Sequence, residues 1–275
     1  MKFSVLISVW EIEKPYYFRE CLESILTQTL PANEVVIVKD GPLTPALDEV
    51  LDDYKKLLPI KTIGFKQNRG LRYALNAGLK VCRNEWIARM DSDDICLPER
   101  LEATAGFIAE TPSADIVGSF AHRIDHKGRI IGLMRVPVKP QAISKLVWTC
   151  PMIHPSVCYR KDKILAIGGY NENAGPRQDD YELWYRCVKA GYEFHNIPVP
   201  LLLYRFTSDT LRRNNYKVGW NQLKNGFRGN RMIGAGLHAY VGVTIPFLRS
   251  LLPYPVNIWA YELQSKLNPR VRKAR

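Results

Sequence analysis

The chain has 275 residues, of which 46% are hydrophobic and 24% are charged. This length and composition fit a globular protein with a real core and exclude a disordered or fibrous chain. The formal net charge of +12 is concentrated in residues 205–275, which hold 13 Lys and Arg against 2 Asp and Glu; residues 1–204 hold 26 against 25. No nucleic-acid-binding motif accompanies this basic region, so we expect no nucleic-acid partner.

The N-terminal segment and the cysteines bear on the cellular compartment. Residues 1–14 contain only a short apolar run and lack the cleavage site of a signal peptide, so a first strand is predicted there. The six cysteines show neither a C-x-x-C pair nor a histidine at zinc-like spacing. They are therefore interpreted as reduced thiols of a cytoplasmic protein.

Short apolar, β-branched runs alternate with segments of helical period through the first half of the chain. The strands and helices predicted in chain order are a strand at 3–9, a helix from Phe18 to the stop at Pro31, strands at 34–41 and 60–65, a helix at 68–80 and a strand at 85–90. Further elements are a strand and hairpin at 114–132, a strand at 154–161, a helix at 179–191 and an extended run at 197–206. The alternation predicts an α/β fold with a mostly parallel central sheet flanked by helices.

Two predicted strands end in acidic residues. Asp40 follows the second strand, and Asp91 and Asp93 follow the strand at 85–90. In open α/β sheets, ligands bind in the crevice beyond the carboxyl ends of the strands. We therefore expect these carboxylates to converge at one edge of the sheet.

The segment RMDSDD, residues 89–94, places three carboxylates in four positions. A helix start before Pro98 explains one of them. Adjacent carboxylates raise one another's pKa unless a cation compensates, so the cluster predicts a bound metal, and ligands that are all oxygen favour Mg²⁺ or Mn²⁺. The chain has no P-loop motif, and the G-x-G-x-x-A match at 234–239 follows no convincing strand. We therefore predict that the Asp residues hold a metal that bridges a diphosphate, as in enzymes that use nucleoside-diphosphate donors.

A second acidic pair, Asp179 and Asp180, begins the helix at 179–191. Two interpretations are open for this pair. Both residues can simply cap the helix while apolar residues pack beneath. Alternatively, one of them faces a cleft as a general base whose pKa is tuned by burial.

Six ordered motifs between residues 3 and 206 resemble glycosyltransferase family 2, inverting transferases with the GT-A fold. The motifs are SVLISVW, VIVKDG, NRGLRYALNAGL, ARMDSDD, HPSVCYRK and DDYELW. The resemblance implies a GT-A catalytic domain at 1–210, a nucleotide-sugar donor such as a UDP sugar, and a glycan acceptor in bacterial polysaccharide assembly.

The resemblance also implies roles for individual residues. The implied donor-binding residues are Ser8, Val9, Trp10, Glu11, Asp40, Asn68, Arg69, Arg72, Asp91 and Ser92. Asp93, with Asp91, is the implied metal ligand, and Asp180 is the implied base with Asp179 as the alternative. His154 falls on the acceptor side or packs a loop. Arg205 stands near the position of a family histidine and is expected to contact phosphate in its place, and Lys39 replaces a frequent second Asp.

The basic region 211–275 is predicted to be an amphipathic C-terminal extension. Prolines and Arg249 interrupt its apolar stretches, so none reaches the roughly 20 residues that span a bilayer. One interpretation is a cationic surface for anionic lipid at the inner face of the cytoplasmic membrane, which suits a lipid-linked acceptor. The other is a helical extension packed on the catalytic domain. Two further functions stay open: an inactive nucleotide-sugar-binding protein and a nucleotidyltransferase.

Overall fold

The computed structural model describes residues 1–175, 177–206 and 215–253, and residues 256, 260 and 269 individually. The boundary predicted near residue 210 lies outside the described residues. Within the described segments, no helix combines the length and the apolar character that crossing a bilayer requires.

The described strands form one sheet of nine strands. They are β1 (Phe3–Val9), β2 (Glu34–Lys39), β3 (Ile60–Gly64), β4 (Trp86–Asp91), β5 (Ile95–Cys96), β6 (Ile116–Ile124), β7 (Ile130–Met134), β8 (Cys158–Arg160) and β9 (Phe194–Arg205). Their order is β3-β2-β1-β4-β8-β6-β9-β5, and β7 pairs with β6 as the predicted hairpin.

Helices cover the sheet and continue beyond it. Those in the described residues are α1 (Pro15–Leu26), α2 (Pro45–Tyr54), α3 (Leu71–Val81), α4 (Arg100–Glu110), α5 (Pro140–Lys145), α6 (Lys161–Ala166), α7 (Asp179–Lys189), α8 (Tyr216–Ile233) and α9 (Leu237–Ser250). Apolar residues of β1, β2 and β4 are buried between α1 and α2 on one face and α3 and α7 on the other.

The sheet is mixed: it has the parallel pairings that the sequence predicted, to which β6 and β9 add another, and shorter antiparallel pairings besides. β3, β2, β1 and β4 run parallel as predicted, but β8 pairs antiparallel with both β4 and β6, and β5 pairs antiparallel with β9. The strand predicted at 154–161 is a 3₁₀ turn at His154–Ser156 followed by the short β8.

The register of the parallel strands positions the acidic residues. Ser8 of β1 lies opposite Asp91 of β4, and Val9 lies opposite Lys39 of β2. The carboxyl ends of β1, β2 and β4 therefore meet at one edge, as the sequence predicted.

The helices α8 and α9 pack on α7 and on the segments before it. Tyr185 of α7 donates a hydrogen bond to Asn230 of α8 over 2.8 Å, and the side-chain amide of Asn225 donates to the carbonyl of Ala174 over 2.8 Å. Gly229 brings the α8 backbone against the ring of Tyr185, where a Cβ would lie 2.4 Å from ring atoms. The described part of the extension therefore packs against α7 and the segment before it, and this packing is compatible with a lipid-binding outer face.

Gly242 of α9 provides a test of this packing. A Cβ at this position would lie 2.1 Å from the ring of Trp148, so Gly242→Ala forces the ring to move. Overpacking of this kind costs about 1–3 kcal/mol, so we expect a lower free energy of unfolding despite the higher helix propensity of alanine. Gly106→Ala in α4 is the control, because a Cβ there meets nothing within 4 Å. Urea unfolding with equal midpoints for the two variants would contradict the packing.

Candidate active site

Three carboxylates cluster where β4 ends. One oxygen from each of Asp91, Asp93 and Asp94 lies within 4.8 Å of the others. Asp94 is 1% exposed; its Oδ1 accepts a 2.8 Å hydrogen bond from the backbone N–H of Arg205, and its Oδ2 has no partner in the described part of the chain. Asp91 is ion-paired with the fully buried Arg89. The predicted metal ligands are thus brought together, with Asp94 as an addition.

The charge of this cluster is poorly balanced by the protein. Burial, reinforced by Asp91 and Glu13, raises the pKa of Asp93 to about 7. Burial and the neighbouring carboxylates raise the pKa of Asp94 well above its usual range. Three close carboxylates and a buried oxygen without a partner are the donor set that a hard divalent cation takes. The residues therefore fit Mg²⁺ or Mn²⁺.

The loop before α3 is held by Asp40, which is 4% exposed. Its Oδ1 accepts a hydrogen bond from the backbone N–H of Arg69 over 2.7 Å, and its Oδ2 accepts from the Asn68 amide and the Gly70 N–H over 3.1 and 2.9 Å. Asp40 therefore fixes the loop that leads to Arg72. Its contact with the base or ribose of a donor stays a prediction.

The predicted donor residues of β1 lie beside the acidic cluster. Val9 is buried at the end of the strand, and Trp10 and Glu11 are exposed immediately after it. Ser92 donates a 2.6 Å hydrogen bond to Glu13 in the same loop. This bond ties the segment after β1 to the acidic cluster, so Ser8, Trp10, Glu11 and Ser92 share one region as predicted.

The two residues of the second acidic pair have different surroundings. Asp179 forms an ion pair with Arg72, with 3.2 Å between Oδ1 and Nε. Asp180 accepts hydrogen bonds from the Cys150 thiol over 3.3 Å and from the backbone N–H of Tyr181 over 2.8 Å. Asp180 also lines a cavity of about 200 Å³ whose lining residues do not include Asp179. Asp180 is thus the member of the pair that lines this cavity.

The electrostatics of this pair follow from burial. Burial raises the pKa of both carboxyl groups. The main influence that lowers the pKa is the charge of Arg72 at Asp179 and the hydrogen bond from the Cys150 thiol at Asp180. The guanidinium of Arg89 lowers the pKa of both as well. Since Arg89 also pairs with Asp91, one buried cation acts on both acidic groups. Sequence reasoning missed Arg89 and Cys150.

The structure contradicts the predicted phosphate contact of Arg205. Its side chain is 1% exposed, it donates to Glu20 over 2.7 Å and to the backbone carbonyl of Asp93 over 2.8 Å, and it stacks on Tyr17. A guanidinium with these partners and this burial cannot reach a phosphate at the surface. Arg205 instead supports the backbone of the acidic cluster.

His154 packs a loop, which is the second of its two predicted roles. It is 8% exposed, and its Nε2 lies 2.8 Å from the hydroxyl of Tyr170, while its ring meets the edge of Trp184. Burial, together with Arg89, holds its pKa well below the usual range. A neutral, buried histidine of this kind packs the loop, and the structure does not support its prediction as an acceptor contact.

The fold and the site together define a class of protein. A parallel half-sheet that carries a carboxylate cluster at its carboxyl edge, with a second carboxylate in a nearby cavity, is the arrangement of a GT-A transferase. The sequence profile described as "Glycosyl transferase family 2" matches residues 4–166. The chain therefore belongs to glycosyl transferase family 2, and the predicted GT-A fold is confirmed.

Individual relatives and a solved structure agree with this assignment. The chain is 35% identical over 270 residues to the amylovoran biosynthesis glycosyltransferase AmsE of Erwinia amylovora, covering 96% of this chain and 99% of the relative. It is 31% identical over 225 residues to the UDP-Gal:alpha-D-GlcNAc-diphosphoundecaprenol beta-1,3-galactosyltransferase of Escherichia coli, covering 81% of each. The fold matches that of the mannosyltransferase PcManGT from Pyrobaculum calidifontis in complex with GDP-Man and Mn²⁺, with a TM-score of 0.67 and 16% sequence identity. The match covers 96% of this chain and 75% of the mannosyltransferase chain.

Proposed function

We propose that this protein is an inverting, metal-dependent glycosyltransferase that moves a sugar from a UDP-sugar donor to a hydroxyl of a lipid-linked glycan in bacterial polysaccharide assembly. The observation that carries the proposal is that there are two acidic groups with different surroundings: Asp91, Asp93 and Asp94 form one cluster, whereas Asp180 lines a cavity whose lining residues do not include them. The relatives named for amylovoran biosynthesis and for a diphosphoundecaprenol acceptor support the choice of pathway and acceptor.

In the proposed reaction, Asp180 removes the proton from the acceptor hydroxyl. The acceptor oxygen then forms a bond to the anomeric carbon of the donor from the face opposite the nucleotide. The bond from that carbon to the diphosphate oxygen breaks, and the diphosphate leaves with the electron pair, so the configuration inverts. Asp179 does not share this role, because its carboxylate is held by Arg72.

The proposed role of the acidic cluster is to stabilise the charge of the diphosphate leaving group through a bound metal. Asp91, Asp93 and Asp94 would hold a Mg²⁺ or Mn²⁺ ion, which supplies charge stabilisation to the diphosphate when bound. Arg89 fixes Asp91, and Arg205 fixes the backbone carbonyl of Asp93. The protein thus orients these carboxylates before any ligand arrives.

The stereochemistry of the product tests the proposed reaction. With UDP sugars of α configuration and a sugar linked to a polyprenyl diphosphate as acceptor, we expect a β-linked product, because a single displacement inverts the anomeric carbon. The anomeric coupling constant measured by NMR reports the outcome. An α-linked product would require retention and would exclude Asp180 as the base of a direct displacement.

The exposed face of α9 supports a place at the membrane surface. Leu237, Val241, Ile245 and Leu248 are exposed and recur at spacings of three and four residues, so they lie on one face of the helix. Residues 205–275 carry a large excess of basic residues. A helix with an apolar face in a basic region binds anionic lipid at the interface. We therefore infer a peripheral position at the inner face of the cytoplasmic membrane.

Vesicle flotation tests this position. The wild type is expected to float with phosphatidylglycerol vesicles and to float less at high salt, because the attraction is partly electrostatic. The double variant Leu237→Glu and Leu248→Glu should stay at the bottom of the gradient. Ile131→Glu in β7 is the control, since Ile131 is 50% exposed, close to the 58% of Leu248, but lies outside the basic region. Flotation of the double variant at the wild-type level would contradict the membrane role of α9.

A further inference from the structure

A short turn connects the proposed base to the extension. We call residues 147–150 the bridging turn; it is a turn of 3₁₀ helix with Cys150 at its C-terminal cap. The Cys150 thiol donates a hydrogen bond to Oδ2 of Asp180 over 3.3 Å. The ring of Trp148 lies against the backbone of α9 at Gly242, where a Cβ would be 2.1 Å from a ring atom. The bridging turn therefore contacts both the proposed base and the extension.

The bridging turn is held from two sides. From α7, the Tyr181 hydroxyl donates a hydrogen bond to the backbone carbonyl of Trp148 over 3.1 Å. From α9, Gly242 packs on the Trp148 ring, and His238 meets the same ring in an edge-to-face arrangement, with 6.2 Å between the ring centroids. Close packing leaves a clamped segment little room to shift. The extension thus contributes to the placement of Cys150, a residue that touches the proposed base.

The backbone of Cys150 is strained. Its φ of +54° and ψ of +69° lie in the left-handed region, which residues other than glycine seldom adopt. Its N–H donates to the carbonyl of Val147 over 2.9 Å, and this bond closes the turn. Glycine would adopt the same conformation without strain. Because strained residues cluster at functional sites, we expect the Cys150 side chain to have a role that glycine could not fill.

The carboxylate of Asp180 is held at both of its oxygens. Oδ2 accepts from the Cys150 thiol, and Oδ1 accepts from the backbone N–H of Tyr181 over 2.8 Å. One donor on each oxygen fixes the rotation of the carboxylate, and each oxygen keeps a second lone pair for a proton. A thiol is a weak and neutral donor. It therefore orients the carboxylate while lowering its basicity less than an ion pair does, such as the one between Arg72 and Asp179.

We propose that Cys150 is a positioning residue: the bridging turn, held by α7 and α9, keeps the Cys150 thiol against Asp180 and so fixes the direction in which this carboxylate receives the acceptor proton. This inference rests on the proposed function, in which Asp180 is the base. It gives the extension a role in catalysis that is separate from membrane binding. The residues of α9 that touch the bridging turn are His238 and Gly242, which are not members of its exposed apolar face.

Substitutions at Cys150 test this role through the pH dependence of transfer, assayed with the donor and acceptor of the stereochemical test. Cys150→Ala removes the donor, so the pKa of Asp180 rises further. Because the base acts in its ionised form, the acidic limb of kcat/KM should move to higher pH. At the pH optimum of the wild type, kcat should fall about fivefold, the scale of one neutral hydrogen bond.

Two further variants separate the hydrogen bond from the backbone. Cys150→Ser supplies a hydroxyl donor and should return the acidic limb and the rate towards those of the wild type. Cys150→Gly removes the donor and also relieves the strain. It should therefore show the same displaced limb as Cys150→Ala, and it is expected to fold even if the alanine variant does not.

Cys187→Ala is the matched control. Cys187 is a fully buried cysteine near the other end of α7, so its truncation affects packing in the same helix without touching Asp180. It should keep the acidic limb of the wild type. The other ionisable groups that act on Asp180 or line its cavity are unchanged in all of these variants: Arg89, Tyr170, Arg177, Asp179, Tyr181 and Arg249.

Gly242→Ala tests the contribution of α9. It displaces the Trp148 ring, so the acidic limb should move in the same direction as in Cys150→Ala. A limb at the wild-type pH in this variant would overturn the part of the inference that concerns α9.

The same acidic limb in the wild type, Cys150→Ala and Cys150→Gly would overturn the positioning role, as would a serine variant that restores neither limb nor rate. Asp180→Asn distinguishes this result from failure of the proposed function. If Asp180→Asn loses transfer while the Cys150 variants keep the wild-type limb, only the positioning role is lost. If Asp180→Asn transfers sugar normally, Asp180 is not the base and the proposed reaction itself fails.

Discussion

Asp180→Asn is expected to lower kcat for sugar transfer by about 10²- to 10⁴-fold, the usual contribution of a general base, and to leave UDP binding unchanged. Asparagine keeps the size of the side chain, and its single amide oxygen can still accept the hydrogen bond from the Tyr181 N–H, while its NH₂ group takes the position that faces the Cys150 thiol. It cannot accept a proton from the acceptor hydroxyl. The loss therefore reports the chemical step and not the shape of the cavity.

Asp179→Asn is the matched control for this prediction. It removes the same charge from the neighbouring position but breaks the ion pair with Arg72. We expect a smaller fall in kcat and a higher KM for the donor, because Arg72 loses its anchor. Near-normal transfer by the Asp180 variant together with no transfer by the Asp179 variant would show that Asp179 is the base.

The pH dependence of the wild type belongs to the same prediction. Burial raises the pKa of Asp180 above its ordinary value, which for a free aspartate is about 3.9. The base acts in its ionised form, so kcat/KM is expected to fall as the pH drops through this raised pKa. The small residual activity of Asp180→Asn should lack that acidic limb.

Removal of divalent metal is expected to lower transfer by about 10³-fold, since a cation contributes several kcal/mol to charge stabilisation at a leaving diphosphate. Dialysis against EDTA followed by Mn²⁺ should restore the wild type. Asp93→Asn should show the same loss without restoration, because Asp93 lies within the cluster of three carboxylates at the end of β4.

Asp52→Asn is the control for the metal prediction. Asp52 is an exposed carboxylate in α2 that pairs with Lys55, so its removal changes the charge of the protein equally but leaves the cluster intact. It should retain wild-type activity and full restoration by Mn²⁺. Full activity of EDTA-dialysed wild type would contradict the metal role of Asp91, Asp93 and Asp94.

Local signals in the sequence predicted much of this fold and site. The apolar runs of β1, β2 and β4 and the acids that follow them located the edge where ligands bind. Two features were overlooked although the signal was present. Thr44 caps α2 directly before Pro45, a typical helix start. Arg89 precedes Asp91 by two positions, which places both on one face of β4.

Other features depend on contacts that no local pattern encodes. The bond from Cys150 to Asp180 and the contribution of Arg249 to the cavity join residues far apart in sequence. Arg205 shows the same limit, because its position matched a phosphate-binding segment while its partner Glu20 lies 185 residues away. Only tertiary packing distinguishes an arginine that binds a ligand from one that is already paired.

The most direct test of the different roles of the two acidic groups is calorimetric titration of UDP with and without Mn²⁺. The proteins titrated are the wild type, Asp93→Ala in the proposed metal site and Asp180→Asn at the proposed base. We predict binding that requires Mn²⁺ in the wild type and in Asp180→Asn, and no such binding in Asp93→Ala. Binding of UDP to Asp93→Ala at the wild-type level, or the same affinity without Mn²⁺ in all three proteins, would contradict the role of the acidic cluster in holding a metal for the donor diphosphate.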